Sequence, residues 1–180
     1  MRFVLATANL GKAAELADLL AGFDVVPRPD GVPEPVEDGP TLLDNARIKA
    51  RAIVAVTGEA AVADDTGLEV EALGGRPGVT TARYGGIDRL LAEMDGVGDR
   101  RARWRTVALV LYPDGSEVAA EGTCDGAITE SRRGEGGFGY DPVFVPDAGD
   151  GRAFAEMTKA EKNAISHRGL AFRALAAKLT

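Results

Sequence analysis

The chain has 180 residues, 45% of them apolar but only 6% aromatic, with a formal net charge of −7. That is length for one domain, here residues 1–180, with a core filled mainly by alanine, valine and leucine, and it argues against a disordered chain. The acidic balance disfavours a nucleic-acid polymer as partner, though a small anionic ligand needs only a few placed lysines and amides; the single cysteine, Cys124, excludes an intrachain disulfide and a thiolate zinc cluster.

Phe3 to Ala6 reads as a buried strand. A polar stretch follows at once and nowhere do about 18 apolar residues run together, so neither a signal peptide nor a membrane span is expected, and the cytoplasm is the default location. A turn over Thr7 to Gly11 leads to a helix from Lys12 to Gly22 with Leu16, Leu19 and Leu20 on one stripe. Asp24 to Val26 is a second strand. Residues 27–40 carry five prolines and form a rim loop. Thr41 caps a helix reaching Gly58, with Asp44 near the capping-box position. Ala60 to Ala63 is a strand expected to stop at Asp64-Asp65-Thr66-Gly67, with extended structure resuming at Leu68 and Val70. Gly74 to Gly78 punctuates the chain.

Ile87 to Met94 suits a short helix. Asp114-Gly115 between Val107–Tyr112 and Ser116–Gly126 signals a hairpin. Glycine is dense from Gly134 to Gly139, Val143 to Val145 is a last strand, and Thr158 and Ser166 are helix caps. Leu170, Phe172, Leu175, Ala176 and Leu179 pattern a closing helix. Alternating strands and helices followed by a hairpin give a mixed α/β architecture.

Three polar clusters stand at predicted element ends. Thr7, Asn9, Lys12 and Glu15 lie where a strand gives way to a helix, whose first amides can meet an oxyanion and whose lysine supplies a point charge. The alternative is a routine turn; the spacing is not a Walker A loop. Asp64 and Asp65 are costly to bury without a cation and suit Mg²⁺, with Glu37 as a further ligand; the alternative is a surface turn. The third cluster is Gly136 to Pro142 with Lys162, Ser166, His167 and Arg168. Phe138, hemmed by glycines, can stack on a flat base or plug a core, and Lys162 and Arg168 are otherwise solvated charges.

These stretches resemble the inosine triphosphate pyrophosphatase family, the non-canonical purine NTP pyrophosphatases. The resemblance rests on Thr7 to Glu15, Thr41 to Ala50, Ala63 to Leu68, Pro77 to Tyr84, Gly136 to Pro142 and Glu161 to Gly169, in family order over nearly the whole chain. It implies a mixed twisted sheet flanked by helices in two lobes around a central cleft, usually as a homodimer. It implies Mg²⁺-dependent hydrolysis of ITP, dITP and XTP to the monophosphate and pyrophosphate. Thr7, Ala8, Asn9, Leu10, Gly11 and Lys12 would then bind phosphate, with Lys49 as a second charge. Glu37, Asp64 and Asp65 would hold the metal, Asp65 also serving as general base. Thr66, Phe138, Gly139, Tyr140, Asp141, Lys162, His167 and Arg168 would surround the rest of the nucleotide. The sequence departs from the family pattern at Asp44, where glutamate is usual, at Thr66, where serine is common, and in a shortened run after Tyr84. A pyrophosphatase of other nucleotides such as dUTP, and a nucleotide-binding module without turnover, remain as alternatives.

Overall fold

The computed structural model describes residues 1–180. In chain order the elements are β1 (Arg2–Leu5), α1 (Leu10–Leu19), β2 (Asp24–Val26), α2 (Leu42–Thr57), β3 (Ala60–Val70), β4 (Pro77–Gly78), α3 (Gly86–Glu93), β5 (Arg101–Leu111), β6 (Glu117–Ile128), β7 (Phe144–Pro146), α4 (Lys159–Ile165) and α5 (His167–Leu179). The strands form one mixed sheet in the order β2-β1-β3-β5-β6-β7, with β4 pairing β3. β1 runs parallel to β2 and β3, while β4 is antiparallel to β3 and β7 to β6. The mixed α/β class expected from the sequence is therefore observed. No helix is long and apolar enough to cross a membrane.

The chain divides into two compact units. The first comprises Met1–Asp65, Thr106–Gly122 and Ala171–Thr180; the second comprises Thr66–Arg105 and Thr123–Leu170.

In the first unit both faces of the sheet are covered. Successive strand side chains point to opposite faces. Phe3, Leu5, Ala60, Val62, Ala108 and Val110 accordingly pack with Leu16 and Leu20 of α1 and Phe172 and Leu175 of α5. Their neighbours Val4, Ala6, Ala61, Ala63, Leu109 and Leu111 pack with Ala46, Ala50 and Ile53 of α2. Burial on both faces is why Phe3–Ala6 and Ala60–Ala63 read as unbroken apolar runs.

In the second unit the strands alternate. Leu68, Val70, Ala102, Trp104, Cys124 and Ile128 enter the core, where they meet Leu90, Met94, Tyr140, Phe144 and Phe154. Arg101, Arg103 and Asp125 between them stay exposed. The β5 strand thus begins six residues before the apolar run at Val107 that marks it in the sequence. Leu170 is another departure: it is exposed, and the buried stripe of α5 is Ala171, Phe172 and Leu175.

The largest departure concerns β3, which does not stop at Asp64 but continues to Val70. Asp64, Asp65, Thr66 and Gly67 carry turn propensity, yet pairing with neighbouring strands overrides it. What ends here is β1, whose last register pair is Leu5 with Val62. The acids therefore lie on β3 just past the carboxyl end of its parallel neighbour, the place where open α/β sheets receive ligands.

Candidate active site

In the first unit, alternation along β3 decides where the two acids point. Asp64 shares the parity of Ala60 and Val62, the face that α1 covers, and its Oδ2 lies 3.7 Å from Lys12 Nζ. Asp65 shares the parity of Ala61 and Ala63, the face that α2 covers, and its Oδ1 accepts a hydrogen bond from Lys49 Nζ at 2.8 Å. Lys49 also meets Glu37 Oε2 at 3.0 Å, which brings the proline-rich loop onto α2. Thus Lys12 pairs with Asp64 on one face of β3, and Lys49 pairs with Asp65 and Glu37 on the other, five charged residues drawn from 54 positions of sequence.

Lys49 is not simply a charge directed at an external anion, because it already bridges two carboxylates. Burial alone would depress its ammonium, but Asp65, Asp64 and Glu37 outweigh that and hold its pKa above the ordinary lysine value. Burial pushes the Asp65 carboxyl above the usual aspartate range, with Glu37 adding, against the pull of Lys49 and Lys12. The two shifts have different origins: the carboxylates raise Lys49 against its burial, whereas burial raises Asp65 against the lysines.

Asp65 Oδ2 is buried and has no hydrogen-bond partner. Such an atom is costly unless a ligand takes it up. A hard divalent cation fits, since Mg²⁺ needs only one or two carboxylates when phosphate oxygens and water complete its shell. No group of three His, Cys, Asp or Glu side chains is gathered closely enough to hold an ion alone. The geometry gives a reason: Asp64 and Asp65 leave β3 on opposite faces, and Glu37 is engaged by Lys49.

The turn before α1 is built from its own side chains. Asn9 caps the helix, its Oδ1 accepting from the Lys12 amide at 3.0 Å, and its own amide donates to Thr7 Oγ1 at 3.1 Å. Of the first-turn N–H groups this leaves those of Leu10 and Gly11 without an intrahelical acceptor. Asn9 and Thr7 therefore shape the turn. Asn45, which sequence reasoning did not single out, does similar work for Glu37: it is buried on α2 and its Oδ1 accepts from the Gly39 amide at 2.8 Å. No periodicity distinguishes that asparagine from its neighbours.

In the second unit a different group assembles. Asp141 Oδ2 accepts from Lys162 Nζ at 2.8 Å and from the Phe138 amide at 3.0 Å. Lys162 and Asp141 are only 6% and 4% exposed, so the expectation that Lys162 is more often a solvated charge does not hold. Lys162 Nζ stands 4.6 Å from the Phe138 ring centre and the Arg168 guanidinium 5.5 Å from it. Phe138 is half-buried between exposed glycines, neither a core plug nor fully open. Arg168 is buried and its Nη2 donates to Thr66 Oγ1 at 3.3 Å. His167, also buried, opens α5 and stacks on Trp104. Ser166 helps start that helix by accepting from the Gly169 amide at 3.0 Å.

Tyr140 differs from its neighbours in the turn. Its ring belongs to the core and its hydroxyl donates to the Thr81 carbonyl at 3.4 Å. Cys124 is chemically quiet: burial, with Asp125 and Asp147 adding, pushes its thiol up to about 12, so it stays protonated at neutral pH.

Glycine is required at Gly137, where φ is +68° and an added Cβ would overlap Asp141 Oδ2. Gly139 has φ +60° but open space around it. Gly139→Ala should therefore cost roughly 1–2 kcal/mol of left-handed backbone strain. Gly137→Ala should cost clearly more, because it also displaces the carboxylate that holds Lys162. Urea unfolding of the two variants checks the order; equal losses would contradict this account of the turn.

A model of the Ham1 family matches residues 3–178. The dITP/XTP pyrophosphatase of Methylococcus capsulatus is 47% identical over 193 residues, covering 99% of this chain and 96% of that protein. That of Thermus thermophilus is 50% identical over 188 residues, covering 97% and 90%. Among solved structures, a HAM1 protein from Coxiella burnetii matches with a TM-score of 0.88 at 36% identity, covering 99% of this chain and 98% of that one. With its acids and lysines at the end of β1 and its buried cations around Phe138, this chain belongs to the Ham1 family.

Proposed function

We propose that the protein hydrolyses non-canonical purine nucleoside triphosphates, ITP, dITP and XTP, to the monophosphate and pyrophosphate, and so clears faulty nucleotides from the precursor pool. The observation that carries this reading is the Asp64–Asp65 pair facing Lys12 and Lys49, with a buried Asp65 oxygen left for a ligand. The dITP/XTP pyrophosphatases it resembles supply the substrate class. The same reading carries a homodimer, a cytoplasmic location and a single functional domain over residues 1–180.

Asp65, with Glu37 or Asp64 as a second carboxylate and phosphate oxygens and water for the rest, would hold Mg²⁺, whose chemistry is to offset phosphate charge and make a bound water more acidic. Lys12 and the amides of Leu10 and Gly11 take up charge on the phosphate oxygens as it grows. Lys49 does the same as its pairing with Asp65 and Glu37 is shared with the substrate. Asp65 orients a water and accepts its proton. The water oxygen bonds to the α-phosphorus, the bond from that phosphorus to the bridging oxygen breaks, and pyrophosphate leaves. An unperturbed aspartate, with a pKa of about 3.9, is a weak base. Its raised pKa in this site moves it toward the strength the task needs.

The second unit supplies base recognition. Phe138 stacks on the purine, in a contact worth roughly 1–3 kcal/mol. Arg168 donates to the carbonyl at position 6 of hypoxanthine or xanthine; adenine has an amine there and leaves the donor without an acceptor. Arg168→Ala should therefore narrow the ITP over ATP preference in kcat/KM by about tenfold. An unchanged ratio removes Arg168 from base choice. The function itself is tested by pyrophosphate release from ITP, XTP, ATP, dUTP and dTTP, with and without Mg²⁺. Preference for dUTP, or binding of ITP without turnover, overturns it.

A further inference from the structure

We propose that Trp104 is a positioning residue for base recognition, holding His167 and the Phe138-bearing turn at a fixed spacing within the second unit. The inference rests on the reading of His167 and Phe138 as base contacts and deepens it. Trp104 enters the core because β5 alternates, with Arg103 and Arg105 on the opposite face. Two segments distant in sequence meet its indole. Its face lies against the His167 imidazole, the ring centres 4.9 Å apart and the planes 12° from parallel. Its neighbour Tyr140, in the turn that carries Phe138, packs tilted at 5.9 Å and 59°.

A flat stack restrains the imidazole against tilting, and Phe154 at 6.0 Å restrains it further. Because His167 is the first residue of α5, restraint there also fixes the start of the helix that carries Arg168. Tyr140 is two residues from Phe138, so the same indole sets the height of the turn. A second observation separates this role from simple filling. The Trp104 Nε1 is buried with no hydrogen-bond partner, a cost that a phenylalanine would not incur. What the indole adds over a phenyl ring is a wider flat face for the imidazole. Trp104 acts through His167 and Tyr140; its role needs no contact with substrate.

The chain contains one tryptophan and one histidine, so the stack has its own optical signature. In the intact protein, adding IMP should change the Trp104 emission, and His167→Ala should remove that response. Trp104→Leu should raise KM for ITP by about three- to tenfold with kcat changed less than about twofold, and Trp104→Phe should recover only part of the loss. A folded Trp104→Leu variant with the original KM, beside a His167→Ala variant whose KM rises, overturns the positioning role while leaving the base reading intact. A His167→Ala variant with the original KM overturns the base reading and the positioning role together. If Trp104→Leu does not fold, an emission unaffected by saturating IMP overturns the proposal on its own.

Discussion

Asp65→Asn should abolish measurable turnover, lowering kcat by about a thousandfold or more, while the protein stays folded. Asparagine keeps the size of the side chain and an oxygen for the Lys49 ammonium, which now sits 2.8 Å from Oδ1. It cannot accept the proton of water, and it binds a divalent cation poorly. The effect on stability is small because two changes oppose each other. A carboxyl whose folded pKa lies above its unfolded value holds its proton more tightly when folded, so ionising it lowers stability as pH rises through that window. Asparagine removes this cost at neutral pH. It also removes one of the acids that keep the buried Lys49 charged. The melting temperature should thus move by no more than about 5 °C. Retained activity in a folded Asp65→Asn protein would take Asp65 out of the chemistry.

Lys162→Met has the largest expected cost to the fold, about 3–5 kcal/mol. Lys162 and Asp141 form a buried pair at 2.8 Å, and without the ammonium Asp141 keeps only the Phe138 amide as a donor to the same oxygen. A buried carboxylate left so exposed to an apolar surrounding is strongly destabilising. Removing both charges is milder, so the Asp141→Asn, Lys162→Met double variant should be more stable than Lys162→Met alone. Both variants also take the cation from the Phe138 ring, so KM for ITP should rise in each. Urea unfolding gives the order of stability. A single variant as stable as the double would mean that Asp141 finds another partner.

These two positions also mark what could be read from the sequence. The acids were legible by type, as a pair following an apolar run, but not by place: they lie within β3, past the end of β1 rather than at the end of their own strand. Their opposed directions were not, because the four-residue stretch from Asp64 to Gly67 has the composition of a turn, whereas sheet pairing keeps it extended and so imposes alternation. The core of the first unit was legible because two-sided burial leaves unbroken apolar runs. The start of β5 was not, because three arginines alternate through it and mask Ala102 and Trp104. Lys162 and Arg168 read as surface charges by their type alone. Their burial depends on Asp141, Thr66 and Phe138, which lie 21 to 102 positions away, and pairing over such a span leaves no local pattern. The glycine pattern around Phe138 did show in the sequence, and φ at Gly137 and Gly139 explains it.

Hydrolysis of ITP in ¹⁸O-enriched water, with the products weighed by mass spectrometry, tests the chemistry most directly. Attack at the α-phosphorus predicts one heavy oxygen in IMP and unlabelled pyrophosphate. Label in pyrophosphate, or release of labelled orthophosphate, would contradict it.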